Sequence, residues 1–455
     1  MQHYTKYKQG VTWNAIEAIV IQGLLAANQF LLFRVLPTDF YGLTAVIFSL
    51  IYIALPIINL GFDASLPIFI NKYITSKSAF TRLLIPQAIA QLALITCAGG
   101  IYIGCINKIS GYWFSSVNIL QLPSSFFILV LAIIIAESMK KSLRAFTHAC
   151  FLNRPTMFIE LSAVWGYMGL VWGMYFINGS LSLWTIFIPL LIESCWSSAV
   201  LVYIIMTQLY NKFSAAKSSV KISFTRIFKN RILAYINQLS MIFFTRNFLI
   251  PFLSWLFGLA AIGALKLISE LAIFVLVFIE KLFGTTGSAL LAHVKFEPLK
   301  KRREAFTLLA QQLFFVLFAI IIFLAFNGRS VFCLYSGPIT DYYLALLFFF
   351  TIIFENIFLM YERFALIEEK IYITILLNLL SAGICFPLAI FLNASLPATI
   401  IVIIVTRIIA FLILSLIYLR CWNIPQKIKL NIPLLFLVVL ISYLLFCFFN
   451  TTLIP

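Results

Sequence analysis

The chain has 455 residues, 63% of them hydrophobic, and 32 lysines and arginines against 15 aspartates and glutamates give it a net charge of +17. With a mean hydropathy of +1.06, it cannot be a soluble globule, because too little polar surface remains to cover such a core. A helical bilayer span takes about 20 apolar residues, and only helices or closed barrels hide their backbone polar groups in lipid. The apolar runs here are continuous rather than alternating, which excludes a barrel. They predict an all-α polytopic membrane protein with about 12–14 transmembrane helices.

Thirteen spans are read, at 11–33, 42–62, 83–106, 118–138, 157–177, 183–207, 232–253, 262–284, 306–327, 342–361, 371–392, 398–419 and 432–449. The residues ahead of the first span are polar, and the span is too long for the apolar core of a signal peptide. It is expected to be its own insertion signal. Asn14, Glu17, Gln22, Asn28 and Gln29 share an arc of about 140° on this first helix. On the second, Ser49, Tyr52, Asn59 and Asp63 share about 80°. The sixth carries Glu193 at mid-span. The seventh carries Asn237, Gln238, Arg246 and Asn247, scattered around its axis. On the eighth, Lys266, Ser269, Glu270, Glu280 and Lys281 share about 120°. Glu355 lies in the tenth span and Arg407 in the middle of the twelfth.

Ionisable residues inside a span are costly and mark function by default. The three polar stripes occupy matching places in the two halves of the chain, which suggests a wet interior between those halves. The same Ser, Asn and Gln side chains also suit interhelical hydrogen bonds. Lys266 and Glu270 suit an i, i+4 pair. Arginine keeps its charge at any attainable pH, so Arg246 and Arg407 need carboxylates, water or an anionic ligand. A guanidinium fork matches phosphate well.

The basic residues fall almost entirely in every second gap. Arg34, Lys108 and Arg329 lie in the opposite set, and Arg246, Lys266, Lys281 and Arg407 lie within spans. By the positive-inside rule the N-terminus is cytoplasmic. The basic runs sit in short loops beside membrane ends without interleaved aromatics, so contact with anionic lipid is expected and nucleic-acid binding is not. Eight cysteines without a CxxC pair, and three histidines (His3, His148 and His293), predict neither a disulfide framework nor a metal site. No nucleotide-binding, zinc-protease or serine-hydrolase motif occurs. No cofactor and no enzymatic activity are expected, and energy coupling would come from an ion or substrate gradient.

The long basic stretch after the sixth span divides the chain. Residues 1–210 are read as an N-terminal six-helix lobe, 211–231 as a basic linker and 232–420 as a C-terminal six-helix lobe. Residues 421–455 form an additional transmembrane or interfacial helix. Tyr41-Gly42-Leu43-Thr44-Ala45 opens the second span, and Phe257-Gly258-Leu259-Ala260-Ala261, or alternatively Ile262-Gly263-Ala264-Leu265, opens the eighth. Repeats six spans apart would share orientation.

Phe33-Arg34-Val35-Leu36-Pro37-Thr38-Asp39-Phe40-Tyr41-Gly42-Leu43, followed by a span ending Asn59-Leu60-Gly61-Phe62-Asp63-Ala64-Ser65-Leu66, resembles the polysaccharide flippase group. These are the O-antigen and capsule repeat-unit flippases of the multidrug/oligosaccharidyl-lipid/polysaccharide exporter superfamily. The resemblance is best over residues 1–80. It implies a MATE-like fold, two six-helix lobes around a central cavity lined by the first, second, seventh and eighth helices. It also implies alternating access that carries an undecaprenyl-pyrophosphate-linked oligosaccharide from the cytoplasmic to the periplasmic leaflet of a bacterial inner membrane. On that reading Arg34, Arg246, Lys266 and Arg407 supply a cationic cavity, and Asn14, Gln22, Asn28, Gln29 and Asn59 meet sugar hydroxyls. Glu17, Glu193, Glu270 and Glu355 are the candidates for ion coupling. A polysaccharide polymerase and a chain-length regulator are the expected protein partners. The span count departs from the group, whose members have twelve or fourteen, since thirteen places Pro455 outside. The alternatives are a drug or metabolite antiporter of the same superfamily and a membrane glycan polymerase or ligase. The short outer loops disfavour the enzyme.

Overall fold

In this computed structural model, residues 2–63, 91–105, 123–150, 152–209, 224–279, 298–336, 371–391 and 396–421 are described, with single positions at 65, 89, 290 and 365. The described residues are helical apart from short turns. In chain order the helices are α1 (Gln2–Val35), α2 (Thr38–Ile58), α3 (Gln91–Cys105), α4 (Ser124–Ala149), α5 (Asn153–Asn178) and α6 (Leu183–Ile204). They continue with α7 (Phe224–Ile242), α8 (Arg246–Phe257), α9 (Leu259–Ile279), α10 (Leu299–Ser336), α11 (Tyr372–Phe391) and α12 (Leu396–Cys421). Among the described residues, six segments are long and apolar enough to cross a membrane by length and composition alone. The protein is an all-α polytopic membrane protein.

The termini of these helices follow from local chemistry. Pro37 opens α2, and Asp39 in the first turn complements the helix dipole. α5 ends at Gly179, whose φ of +69° a side chain rarely adopts. Its N–H bonds the Tyr175 carbonyl at 2.8 Å. Three residues on, Ser182 and Thr185 form a capping box that starts α6. An added Cβ at Gly179 would meet open space. Gly179→Ala is therefore expected to cost only the left-handed strain, about 1–2 kcal/mol, read as a small drop in thermal midpoint.

The expected spans and the helices differ at two places that matter. The span drawn at 118–138 is helix from Ser124 to Ala149, about 39 Å long at 1.5 Å per residue. Lys140, Lys141 and Arg144, assigned to a loop from sequence, are helical. Glu137, Lys140, Lys141 and Arg144 stand at i, i+3, i+4 and i+7, so they share one face, and acids on neighbouring helices offset the charge. The second difference is in the seventh span, which breaks into α7 and α8. Phe244 and Thr245 donate their N–H groups to the Met241 and Ile242 carbonyls at 3.1 and 3.0 Å, and the Thr245 hydroxyl adds a 2.7 Å bond to Ile242. Pro251, inside α8, removes a further helix donor. α7 begins at Phe224, so the last part of the expected linker is helix. The rest of that linker, the tenth span with Glu355, the C-terminal segment 422–455, and Glu280 and Lys281 lie outside the described residues.

α4 packs on α6 and α2, α5 on α6, and α1 on α5. Their shared core includes Ile51, Ile58, Phe126, Ile133 and Phe187. In the C-terminal half, α8 packs on α9, α11 on α7 and α12, and α9 on α10. The two halves meet through α1 against α9 and through α2 against α7, α8 and α9.

Candidate functional site

Three charged clusters lie at or beside this seam. The first joins α8 to α9. Arg246, the opening residue of α8, donates to Glu270 Oε1 at 2.6 Å, and Lys266 donates to the same oxygen. Lys266 and Glu270 are buried and Arg246 is nearly so. Two cations on one carboxylate leave a formal charge of +1. That excess sits at the start of a half-helix, where free N–H groups add further positive potential. Here the structure brings together three of the residues proposed from sequence.

The second cluster joins α4 to α6. Lys140 donates to Glu137 Oε1 at 3.0 Å and to both oxygens of Glu193 at 2.9 Å. Ser194 bonds Glu137 Oε1 at 2.5 Å, and Ser197 bonds Glu193 at 3.4 Å. Two carboxylates on one ammonium leave −1 when both are ionised. Tyr167 on α5 is buried as well. Its hydroxyl is buried and has no hydrogen-bond partner among the described residues.

The third cluster lies where α4 meets α1 and α5. Arg144 bridges Glu17 at 2.8 Å and Glu160 at 3.4 Å, tying α4 to α1 and α5. Beside it, the chain leaves α2 through Asn59, Leu60 and Gly61. Leu60 has φ +49° and Gly61 φ +71°. Leu60 is therefore a branched residue in the left-handed region, which costs about 1–2 kcal/mol. Gln91 donates to the Asn59 backbone carbonyl at 2.9 Å and to its side-chain oxygen at 2.7 Å. Asn59 donates to Asp63, Ser142 bonds Asn59 at 3.0 Å, and Lys141 pairs with Asp63 at 3.4 Å. From the other half, Arg231 Nε donates to the Leu60 carbonyl at 3.0 Å, and Arg231 Nη2 donates to Gln91.

The remaining proposed residues are dispersed. Asn28 is buried and accepts from the Trp172 indole at 2.8 Å. Gln29 accepts from the Tyr41 hydroxyl at 3.3 Å. Asn14 is buried and Gln22 half-buried. Arg34 is exposed at the far end of α1, with its guanidinium 5.1 Å from the centre of the Phe30 ring. Arg407 is only 1% exposed. It donates to Asn378 Oδ1 at 2.8 Å and lies 4.0 Å above the Phe244 ring. Arg407 is thus embedded in the C-terminal core beside Phe244. Sequence reasoning missed Glu137, Lys140, Arg144, Gln91 and Arg231. The heptad-like spacing of charges in α4 was the available signal for three of these. No three His, Cys, Asp or Glu residues among those described are grouped to hold a metal.

Comparison with solved structures places the fold. The eukaryotic MATE transporter AtDTX14 superposes with a TM-score of 0.68 at 17% identity, over 92% of this chain and 96% of that one. A mutant of the Vibrio cholerae MATE transporter VcmN gives 0.65 at 13% identity, over 93% and 97%. A MOP superfamily transporter from Pyrococcus furiosus, described as having a binding pocket of reverse polarity, gives 0.66 at 12% identity, over 92% and 96%. The chain has the MATE fold. No protein-family model matches the sequence, and no curated protein matches it.

Proposed function

We propose that the protein is an alternating-access membrane transporter that flips an undecaprenyl-pyrophosphate-linked oligosaccharide repeat unit across a bacterial inner membrane, with its N-terminus in the cytoplasm. The observation that carries this reading is the excess positive charge of the Arg246–Lys266–Glu270 triad at the seam. A pyrophosphate-linked headgroup cannot cross hydrocarbon unaided, and fixed donors replace its lost water. The MATE fold and the flippase-like turn at Phe33–Leu43 add to it. Arg246 and Lys266 would hold phosphate, while Asn14, Gln22, Asn28, Gln29 and Asn59, dispersed along α1 and at the end of α2, would meet sugar hydroxyls. Arg34, exposed at the far end of α1, and Arg407, buried against Phe244, would shape the field. Glu193 is the foremost candidate for ion coupling, because its trio with Glu137 and Lys140 lacks one positive charge. Glu17, Glu270 and Glu355 are the other acids in that role.

A drug or metabolite antiporter is the second reading, favoured by the solved structures that share the fold. Deletion of the gene, followed by analysis of lipid-linked intermediates, separates the two. The flippase reading expects repeat units to accumulate facing the cytoplasm. Unchanged glycan would point to the antiporter, and single repeat units already exported would point to a polymerase.

A further inference from the structure

The charged triads govern what the seam can hold; the turn at the end of α2 bears on how the seam opens. We infer that Arg231 and the Asn59–Gly61 turn form a latch that closes the two halves of the protein at its basic, cytoplasmic end. This rests on the alternating-access reading, in which each end must part in turn.

The geometry is two-sided. The Asn59 turn, Gln91 and Ser142 come from the ends of α2, α3 and α4 on the N-terminal side, tied to one another by Asn59 and Gln91. Arg231 comes from the first turns of α7, on the C-terminal side. It reaches the Leu60 carbonyl at 3.0 Å and Gln91 through separate nitrogens, and its guanidinium lies 5.4 Å from the centre of the Phe62 ring. A carbonyl turned outward by left-handed backbone is what a guanidinium nitrogen can reach. Leu60, not glycine, holds that conformation at φ +49°. The fit is close on both sides. A Cβ at Gly61 would lie 2.6 Å from the Arg231 carbonyl oxygen and 2.7 Å from the Tyr235 nitrogen. Those are backbone atoms of α7, so nothing flexible can yield. A bare α-carbon is what lets the halves touch here.

The latch is released by loss of three interactions on one side chain, with no rearrangement inside either half. When Arg231 departs, Asn59, Gln91 Nε2, Ser142 and Asp63 keep their bonds to one another, while Gln91 Oε1, the Leu60 carbonyl and Arg231 itself would meet water, and Arg231 anionic headgroups, at the membrane surface. The strain at Leu60 is held in both states or relaxed on opening, so it does not oppose release.

Hydrogen–deuterium exchange on the full-length protein in lipid nanodiscs tests this directly, without a substrate. Arg231→Ala removes the grip and Gly61→Ala inserts a wedge. Both variants should speed amide exchange in 59–65 and 231–235 by about tenfold or more, the range expected for losing charged hydrogen bonds, while the core of α4 and α6 stays protected. Arg231→Lys, which keeps the charge but not the fork, should fall between. Slower exchange at the opposite end, around Leu36–Tyr41, would show the two ends to be coupled. A rise at the basic end without that response would uphold the latch and sink alternating access. Unchanged exchange in both segments of Arg231→Lys and Arg231→Ala would overturn the latch, and should Arg231→Ala fail to fold, the lysine variant decides alone.

Discussion

Replacing Lys140 with methionine should destabilise the protein by about 3–5 kcal/mol, the usual penalty for stripping one partner from a buried ion pair. Lys140 is the sole cation bonded to Glu137 and Glu193 among the described residues. Without it, two buried carboxylates face each other with only Ser194 and Ser197 as donors. The measurement is the thermal midpoint in micelles, followed by tryptophan fluorescence. Removing both charges as well, in a Lys140→Met, Glu137→Gln, Glu193→Gln variant, should restore most of the loss, because neutral groups carry no Born penalty. A triple variant as unstable as the single one would mean that Lys140 acts by packing instead.

Arg246→Ala should slow translocation of the lipid-linked substrate by about tenfold to a hundredfold while leaving the fold intact, since a charge-assisted hydrogen bond contributes about 1.5–3 kcal/mol. The substitution leaves Lys266 and Glu270 as a neutral pair, so the seam loses its excess positive charge. Asn247→Ala, on the same turn but outside the triad, serves as the control. The readout is protection of a labelled lipid-linked oligosaccharide in reconstituted vesicles. Equal rates for Arg246→Ala and the native protein would remove the triad from the transport path.

Much of this was readable in advance, for reasons that differ by residue. The apolar runs made the helices legible, because lipid leaves the backbone no other choice. The Lys266–Glu270 pair was legible from its i, i+4 spacing, and the structure adds Arg246 from a helix whose break at Phe243–Thr245 the apolar pattern conceals. Turns closed by their own carbonyls and a threonine hydroxyl leave no polar signature in hydropathy. Lys140, Arg144 and Arg231 were misplaced because a positive charge near a membrane end reads as a loop. Their partners Glu193, Glu17 and Gln91 lie 53, 127 and 140 residues away in the chain, which no local spacing reveals. Arg407 is a buried cation with company, but its neighbours among the described residues include an amide and a phenyl face, which belong to no motif.

That last residue bears on how the protein can move. Phe244 stands in the elbow between α7 and α8, and the Arg407 guanidinium rests on its ring, pinned from the side by Asn378, which in turn reaches Ser240 on α7 at 3.3 Å. A cation lodged there works as a keystone. Straightening the elbow would draw the Phe244 ring from beneath that guanidinium, so the contact opposes it. The Arg246 fork, two residues beyond Phe244, is thereby tied to α11 and α12 of its own half.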